Sequence, residues 1–467
     1  MSTATPPPAT VPNVIVVGAG LSGMTAAYTL AAQGLEVIVV EAKDRVGGRT
    51  HSDPDYEGGP LDLGGMLIGV THDRSRRLGE TLGLTWAHAR PEGRMTYRVN
   101  GDVILAPDSS YPTTIDGSDG FDVKLAKAYG KFDVLAARVG ADGPWDTAFD
   151  RELDMMNVAT WLELNVPDPV VRRIVDTDLN IIVGAATSEI SMLFWAQYVA
   201  KCENMHALQV TANDALWIGG AQQISQRIAE QPGITLVTES PVTSVQYTDD
   251  SVTVHTTKSA YTAAHAIIAV PPASANAIAY IPELPLQRRQ LQARAPMGRE
   301  SKVQMRYPSP FWRESHQSGE VFDLDLGYLA LDVTRPGDLS ATIVAFIGGK
   351  DYDAWFALGD TGRRQAVIES LVATLGPAAS EPLSYHETDW PSIPYTLGAP
   401  VTVMPPGLLS SIGTALNAPI GPLRFAGTEA APMWTGYMEG AVRAGEAAAQ
   451  SILDSVATSA TTAGGSR

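Results

Sequence analysis

A chain of 467 residues is longer than one hydrophobic core fills, so two or three domains are expected. Its 45% hydrophobic and 18% charged residues are those of a soluble globular protein, and a net charge of −18 excludes nucleic acid, whose phosphates it would repel. The single cysteine, Cys202, excludes an intramolecular disulfide framework and suits a reducing compartment. Met1–Pro12 has neither the charged nor the apolar region of a signal peptide, and no apolar run reaches the roughly 18 residues of a membrane span. A cytoplasmic protein that does not enter a membrane is expected.

Val14–Val17 has the length and β-branching of a buried parallel strand. The turn Gly18-Ala-Gly20-Leu-Ser22-Gly23 follows, then a helix over Ala26–Gln33 that Gly34 ends. Gly18 allows the tight turn, Gly20 lets the backbone approach a pyrophosphate, and Gly23 lets the helix pack on the strand. The helix N-terminus adds free N–H groups and a partial positive charge. Val37–Val40 reads as the next strand and ends in Glu41, placed to accept from ribose hydroxyls. Up to this point the pattern specifies a dinucleotide, with NAD and FAD both open. Arg45-Val-Gly-Gly48-Arg49-Thr50 comes next, where Arg49 can bridge phosphates through its planar guanidinium. Taken alone, this second glycine pair also reads as an ordinary turn.

Further along, Asn100-Gly101 and Asp116-Gly117 are turn signals. Residues 151–205 read as helical, with Trp161, Leu164, Ile174, Leu193, Trp195 and Tyr198 spaced to bury a face. Gly219-Gly220 opens a helix over Ala221–Glu230, and short strands follow at Ile234–Thr238, Val242–Tyr247, Ser251–Thr256 and Ala266–Val270. Residues 286–400 alternate strands with one helix around Arg363–Leu375. A last helix covers roughly Met438–Leu453, and Ala457–Arg467 reads as a disordered polar tail. The eight histidines are scattered without metal-ligand spacing, so no metal site is expected, and no G-x-S-x-G nucleophile motif occurs.

With strand, glycine turn, Glu41 and the Gly-Gly-Arg-Thr stretch in that order, the chain resembles the flavin-dependent amine oxidase (monoamine oxidase) family. Asp62-Leu-Gly64-Gly65 is similar to the family's next motif, a loop that passes close to the flavin. Phe425-Ala-Gly427-Thr-Glu429 with Trp434–Val442 is similar to its C-terminal flavin motif. The resemblance implies an α/β fold with an α+β substrate part. A Rossmann-like FAD-binding domain (12–85, 211–285 and 401–455) would interleave with a mixed-sheet plus helices substrate domain (86–210 and 286–400, helical over 151–205). Flexible tails would cover 1–11 and 456–467, and the active site would lie between the domains.

The same resemblance assigns the FAD contacts to Gly18, Gly20, Ser22, Gly23, Glu41, Ala42, Lys43, Gly48, Arg49, Thr50, Gly64, Gly65, Met66, Val242, Trp390, Gly427, Thr428, Glu429, Tyr437 and Met438. Lys43 stands where relatives usually carry Arg. Many relatives attach the flavin through a cysteine at the position of Ala399, so here FAD is expected to be non-covalent. Lys302, in Pro296-Met-Gly-Arg-Glu-Ser-Lys302, matches a lysine that reaches flavin N5 through a water and supplies charge where oxygen is reduced. Trp390 matches a tryptophan packed beside the isoalloxazine. Tyr437 would form one wall of the amine cage, and the opposite wall falls at Pro400 or Val401, a departure from the usual second ring.

By resemblance the substrate pocket comprises Ile181, Ile182, Leu208, Leu329, Leu331, Phe346, Pro400 and Tyr437. No Arg or Lys is placed there for a substrate carboxylate, which argues against amino acids. No acidic pair is apparent for a second ammonium, which argues against polyamines; Glu429 and Glu439 are assigned to the cofactor motifs. The expected activity is FAD-dependent oxidation of a primary amine bearing a cyclic or bulky apolar group. Hydride would pass to flavin N5, the imine would hydrolyse to a ketone or aldehyde with release of ammonia, and O2 would be reduced to H2O2. Because the nitrogen lone pair must be free, activity should rise above neutral pH. The partners expected are the amine and O2, with no nucleic acid and no membrane; a homodimer is left open. The alternatives are an oxidase of putrescine, tyramine or a nicotine-type amine, or an amine dehydrogenase using a partner electron acceptor.

Overall fold

The computed structural model describes residues 13–89, 92–107 and 111–464, with side chains to residue 458. Met1–Pro12 and the last three residues of the expected tail lie outside these. Val14–Val17, buried on both faces, is the centre of a five-stranded sheet ordered Ile234–Val237, Val37–Val40, Val14–Val17, His265–Ile268, Leu423–Phe425. All its pairings are parallel, which is why its strands read as unbroken apolar runs rather than alternating ones. Its strands come from three distant stretches of chain, so residues far apart in sequence meet at one sheet edge.

The first helix spans Leu21–Ala31, beginning directly at the glycine turn rather than at Ala26. Leu21–Ala27 is buried, and this helix packs on the long C-terminal helix Met438–Gly464. A Cβ added at Gly445 would lie 2.3 Å from the Ser22 carbonyl oxygen, so the two backbones touch there. The C-terminal helix continues past the expected end at Leu453 through residues assigned to the tail. No proline interrupts residues 454–463, and the Thr458 hydroxyl returns a bond to the Asp454 carbonyl. No helix among the described residues is long and apolar enough to cross a membrane.

A second, seven-stranded sheet runs Ser384–Asp389, Glu300–Tyr307, Ala341–Gly348, Tyr328–Asp332, Gln317–Asp323, Arg94–Val99, Asp102–Leu105. Asn100 and Gly101, both at positive φ (51° and 84°), turn the last hairpin, and Asp116-Gly117 does the same for a smaller one. Residues 286–400 hold two helices beyond the one expected, Leu286–Arg294 and Gly349–Phe356, alongside Gly359–Leu375. The helices between Phe121 and Lys201 bury Trp161, Ile174, Leu193, Trp195 and Tyr198 in one apolar cluster. Leu164 departs from the expected face and is 71% exposed, because the short helix Val158–Asn165 buries only Val158, Trp161 and Leu162.

Candidate active site

A single cavity of about 1540 Å³ runs from the Gly18 turn, past the loop Gly64–Met66, to the helices around Tyr129 and Ile181. Its floor is built from glycines that leave no room for side chains. Gly18 has φ +101°, and a Cβ there would lie 2.7 Å from Val270 Cγ1. Gly48 lies against Gly20, with a Cβ placed 3.1 Å from the Gly20 Cα, and Gly47 N–H donates to the Ala19 carbonyl (2.8 Å). The second glycine pair is therefore no free-standing turn: it closes over the first. The Glu41 carboxylate accepts from Ala19 N–H (2.7 Å) and Lys43 N–H (2.9 Å), which fixes it at the cavity rim. Ser22 Oγ accepts from Gly427 N–H (2.9 Å) and joins the two ends of the chain beneath the cavity.

Of the residues expected at the cofactor, Gly23 and Glu429 do not line this cavity; the others do. Gly23 supports it from below, since a Cβ there would lie 2.1 Å from the Gly18 carbonyl oxygen. Glu429 is turned away. Its carboxylate takes the bidentate fork of Arg49 at 2.7 and 3.0 Å and also accepts from Thr402 N–H at 3.3 Å. Burial alone would raise its pKa, but the Arg49 charge and these hydrogen bonds hold it below the usual carboxylate range. Arg49 also donates to the Pro400 carbonyl (2.7 Å). The fork read as a phosphate bridge thus serves a buried carboxylate, which would otherwise be an unpaired charge. Glu439, also read as part of the cofactor motif, accepts from Ser75 N–H (2.7 Å) and Arg443, satisfying the start of the helix Asp73–Thr81.

At the far end of the cradle Ala42, Lys43 and Val242 line the wall. Lys43 Nζ donates to Thr396 Oγ1 (2.5 Å), and burial together with the Arg45 charge lowers its pKa to about 8.

Lys302 is buried, and its Nζ donates to the carbonyls of Asp62 (2.5 Å) and Gly64 (2.7 Å) and to Met66 Sδ (2.9 Å). It therefore pins the loop Asp62–Met66 against the cavity. The loop is held from behind by Asp62, which pairs with the buried Arg335 and accepts from Ser52 Oγ (2.5 Å) and Ala221 N–H (3.0 Å). Burial pulls the Lys302 pKa down to about 7, against the pull of Asp62 and with the Arg335 charge adding to the drop. Between about 7 and the ordinary lysine value near 10.4, the unfolded chain binds a proton that the folded chain does not. Lys302 therefore makes stability rise with pH across that window, and the full burial penalty remains below it. Lys302→Met should remove this slope. Thermal unfolding of wild type and variant from pH 6 to 10 should show the wild type gaining relative to the variant as pH rises; parallel curves would contradict the assignment.

Tyr437 stands on the cavity wall just before the C-terminal helix, edge-on to Trp434 (5.4 Å) and His72 (5.6 Å). Trp390 is buried beside Gly64, where an added Cβ would lie 2.8 Å from its ring. Ile181, Ile182, Leu208, Leu329, Leu331 and Phe346 all line the same cavity. Of the two positions for the second wall, Pro400 lines it and Val401 is buried in the core instead. Cys202 is buried outside the cavity lining, its thiol directed to the Thr435 carbonyl.

The model of the family described as flavin containing amine oxidoreductase matches residues 21–453. The chain belongs to the flavin-containing amine oxidase family. It is 34% identical to mouse amine oxidase [flavin-containing] B over 458 residues, which covers 95% of this chain and 86% of that protein. It is 33% identical to an L-amino acid dehydrogenase of Synechocystis, covering 94% of each. Among solved structures, cyclohexylamine oxidase from Brevibacterium oxydans superposes with a TM-score of 0.92 at 43% identity, covering 96% of this chain and 99% of that one. Putrescine oxidase bound to putrescine superposes with a TM-score of 0.88 at 32% identity, covering 95% and 99%.

The glycine floor, the N–H donors of two helix starts and the fixed Glu41 fit the dinucleotide part of a flavin. The lining is less apolar than expected. Asp178 and Glu300 both reach the cavity. Asp178 accepts from Tyr129 OH (2.9 Å) and Gln209 Nε2 (2.7 Å), and burial raises its pKa to about 6 against these bonds. Both were legible: Asp178 lies one helical turn before Ile181, and Glu300 lies on the same strand face as Lys302. Among the described residues no cluster of side chains has the make-up of a metal site.

Proposed function

We propose that this chain is a cytoplasmic FAD-dependent oxidase of primary amines carrying a cyclic or otherwise bulky apolar group, with FAD held non-covalently and O2 as acceptor. The observation that carries the reading is the continuity of the cavity: one space joins the glycine cradle to a pocket walled by Tyr437, Pro400 and aliphatic side chains. FAD bound there would supply the acceptor for the amine's α-hydrogen and pass the electron pair to O2. Tyr437 and Pro400 would hold the amine between them, and Ile181, Ile182, Leu329 and Phe346 would exclude water from its hydrocarbon part. Lys302 would fix the backbone of Asp62–Met66 at the reacting centre and carry a proton or charge close to neutral pH. The lone cysteine lies outside the cavity lining, which favours a cofactor free of a thioether link.

Cyclohexylamine oxidase as a structural neighbour at 43% identity favours this substrate class. Lysines and arginines on the cavity wall are engaged: Lys43 by Thr396, Arg49 by Glu429, Lys302 by loop carbonyls. That leaves a substrate carboxylate without a guanidinium or ammonium partner. A second reading, an amine dehydrogenase with a partner electron acceptor, is favoured by the L-amino acid dehydrogenase among the relatives. Acid precipitation should release intact FAD to the supernatant. Aerobic turnover of cyclohexylamine should yield one peroxide per amine consumed, whereas amine-dependent flavin bleaching without peroxide would favour the dehydrogenase.

A further inference from the structure

The face of strand Glu300–Tyr307 that meets the loop 57–66 carries Glu300, Lys302, Gln304 and Arg306 in alternation. Three of the four spend their donors on that loop. Lys302 and Gln304 donate to the Asp62 carbonyl, and Arg306 donates to the carbonyls of Glu57, Gly59 and Pro60. Glu300 is the exception. It is only 8% exposed and lines the cavity, and its carboxylate has no hydrogen-bond partner among the described residues. A buried carboxyl left without a partner is costly, and one facing a ligand cavity has its partner supplied by the ligand.

The groups around it leave it available. On its own strand Lys302 faces it, with Asp62 and Arg335 paired beyond. Helix Met192–Lys201 presents Tyr198, whose phenol burial keeps protonated. Tyr437 and Cys202, the other titratable groups around Tyr198, are likewise held neutral by burial. Glu429 is bound by Arg49. From the helix Pro169–Val183 come Asn180 and Ile181, against the partner position Gly348, with Asp178 held by Tyr129 and Gln209. Asp389 pairs through Ser301, on the opposite strand face, and Arg299 is taken by Glu189 and Asp353.

We propose that Glu300 receives the ammonium group of the substrate in the active-site cavity and accepts its proton. This inference rests on the amine-oxidising reading above. The step is R–NH3+ with the Glu300 carboxylate giving R–NH2 with the carboxylic acid. One N–H bond breaks and one O–H bond forms. The N–H bonding pair stays on nitrogen as the lone pair that oxidation requires, and no group is oxidised or reduced. Burial raises the Glu300 pKa to about 8, with the Lys302 charge opposing, so the carboxylate form that accepts the proton prevails above about pH 8.

Binding is read on the flavin-loaded protein with tert-butylammonium, which has no α-hydrogen to lose, and with tert-butanol as its neutral counterpart. At about pH 8.5, Glu300→Gln should weaken the ammonium by about tenfold or more and leave the alcohol within about twofold. Equal effects on both probes, or none, would overturn the proposal. The wild type gives an independent reading that needs no folded variant. Anaerobic flavin reduction by primary amines of decreasing basicity should rise with pH about one midpoint, near 8, for the whole series. A midpoint that tracks each amine's own ionisation would overturn it. If no amine bleaches the wild-type flavin, the amine-oxidising reading fails, and the probe binding then reports Glu300 as a cation site or not on its own.

Discussion

Replacing Arg49 by alanine should cost about 3–5 kcal/mol of folding stability and most of the bound flavin. The Glu429 carboxylate, 3% exposed, would be left as a buried charge without its bidentate partner. The Pro400 carbonyl would lose its donor in the same step, so the two stretches of cavity lining that Arg49 and Pro400 supply would loosen together. Denaturant unfolding and flavin content per chain read both consequences. Because the penalty comes from a stranded charge, adding Glu429→Gln should recover a large part of the stability that Arg49→Ala removes. A loss below about 1 kcal/mol for the single variant, the range of an exposed ion pair, would contradict the structural role. The pH sign follows from Glu429, whose pKa lies below the usual carboxylate value. Its stabilisation is fully present above the unfolded glutamate value near 4.3 and is lost as pH falls through its lower folded pKa. Wild type should therefore lose this increment only in acid, and the double variant should lack that acid transition.

The second large effect belongs to Tyr437. Tyr437→Ala should slow anaerobic flavin reduction by about 100-fold, because the wall proposed to set the amine's approach is removed and misplacement of roughly 1 Å has that cost. Tyr437→Phe should stay within about threefold of wild type. The hydroxyl bonds to no described residue, and burial keeps it protonated, so the ring carries the positioning. Its packing against Trp434 and His72 survives in the phenylalanine variant and is absent from the alanine variant. Stopped-flow absorbance of the flavin separates the two. A phenylalanine variant as slow as the alanine one would move the role from the ring to the hydroxyl.

The parts of the site that a reader of the sequence can find are those whose cause is local. The Gly18–Gly23 turn, the strand ending in Glu41 and the second glycine pair announce themselves because a tight turn, a close approach and a strand end each demand particular residues at fixed offsets. Arg49 and Glu429 fail this test. They are 380 residues apart, and each has a sensible cofactor role when read alone; only the fold shows that they neutralise one another. Glu300 and Asp178 lie between these cases. Strand alternation from Lys302 and helical spacing from Ile181 point to them, but only the fold brings both to one cavity. The C-terminal helix outran its expected end because Thr and Ser lower helix propensity without breaking a helix that a buried partner already supports.

The proposed preference of the cavity for amines with bulky hydrocarbon groups is tested most directly by mixing the oxidised protein with single amines in the absence of oxygen and following flavin absorbance. Cyclohexylamine should bleach the flavin faster than putrescine or any amino acid at equal concentration. Bleaching by putrescine or an amino acid while cyclohexylamine leaves the spectrum unchanged would contradict the account.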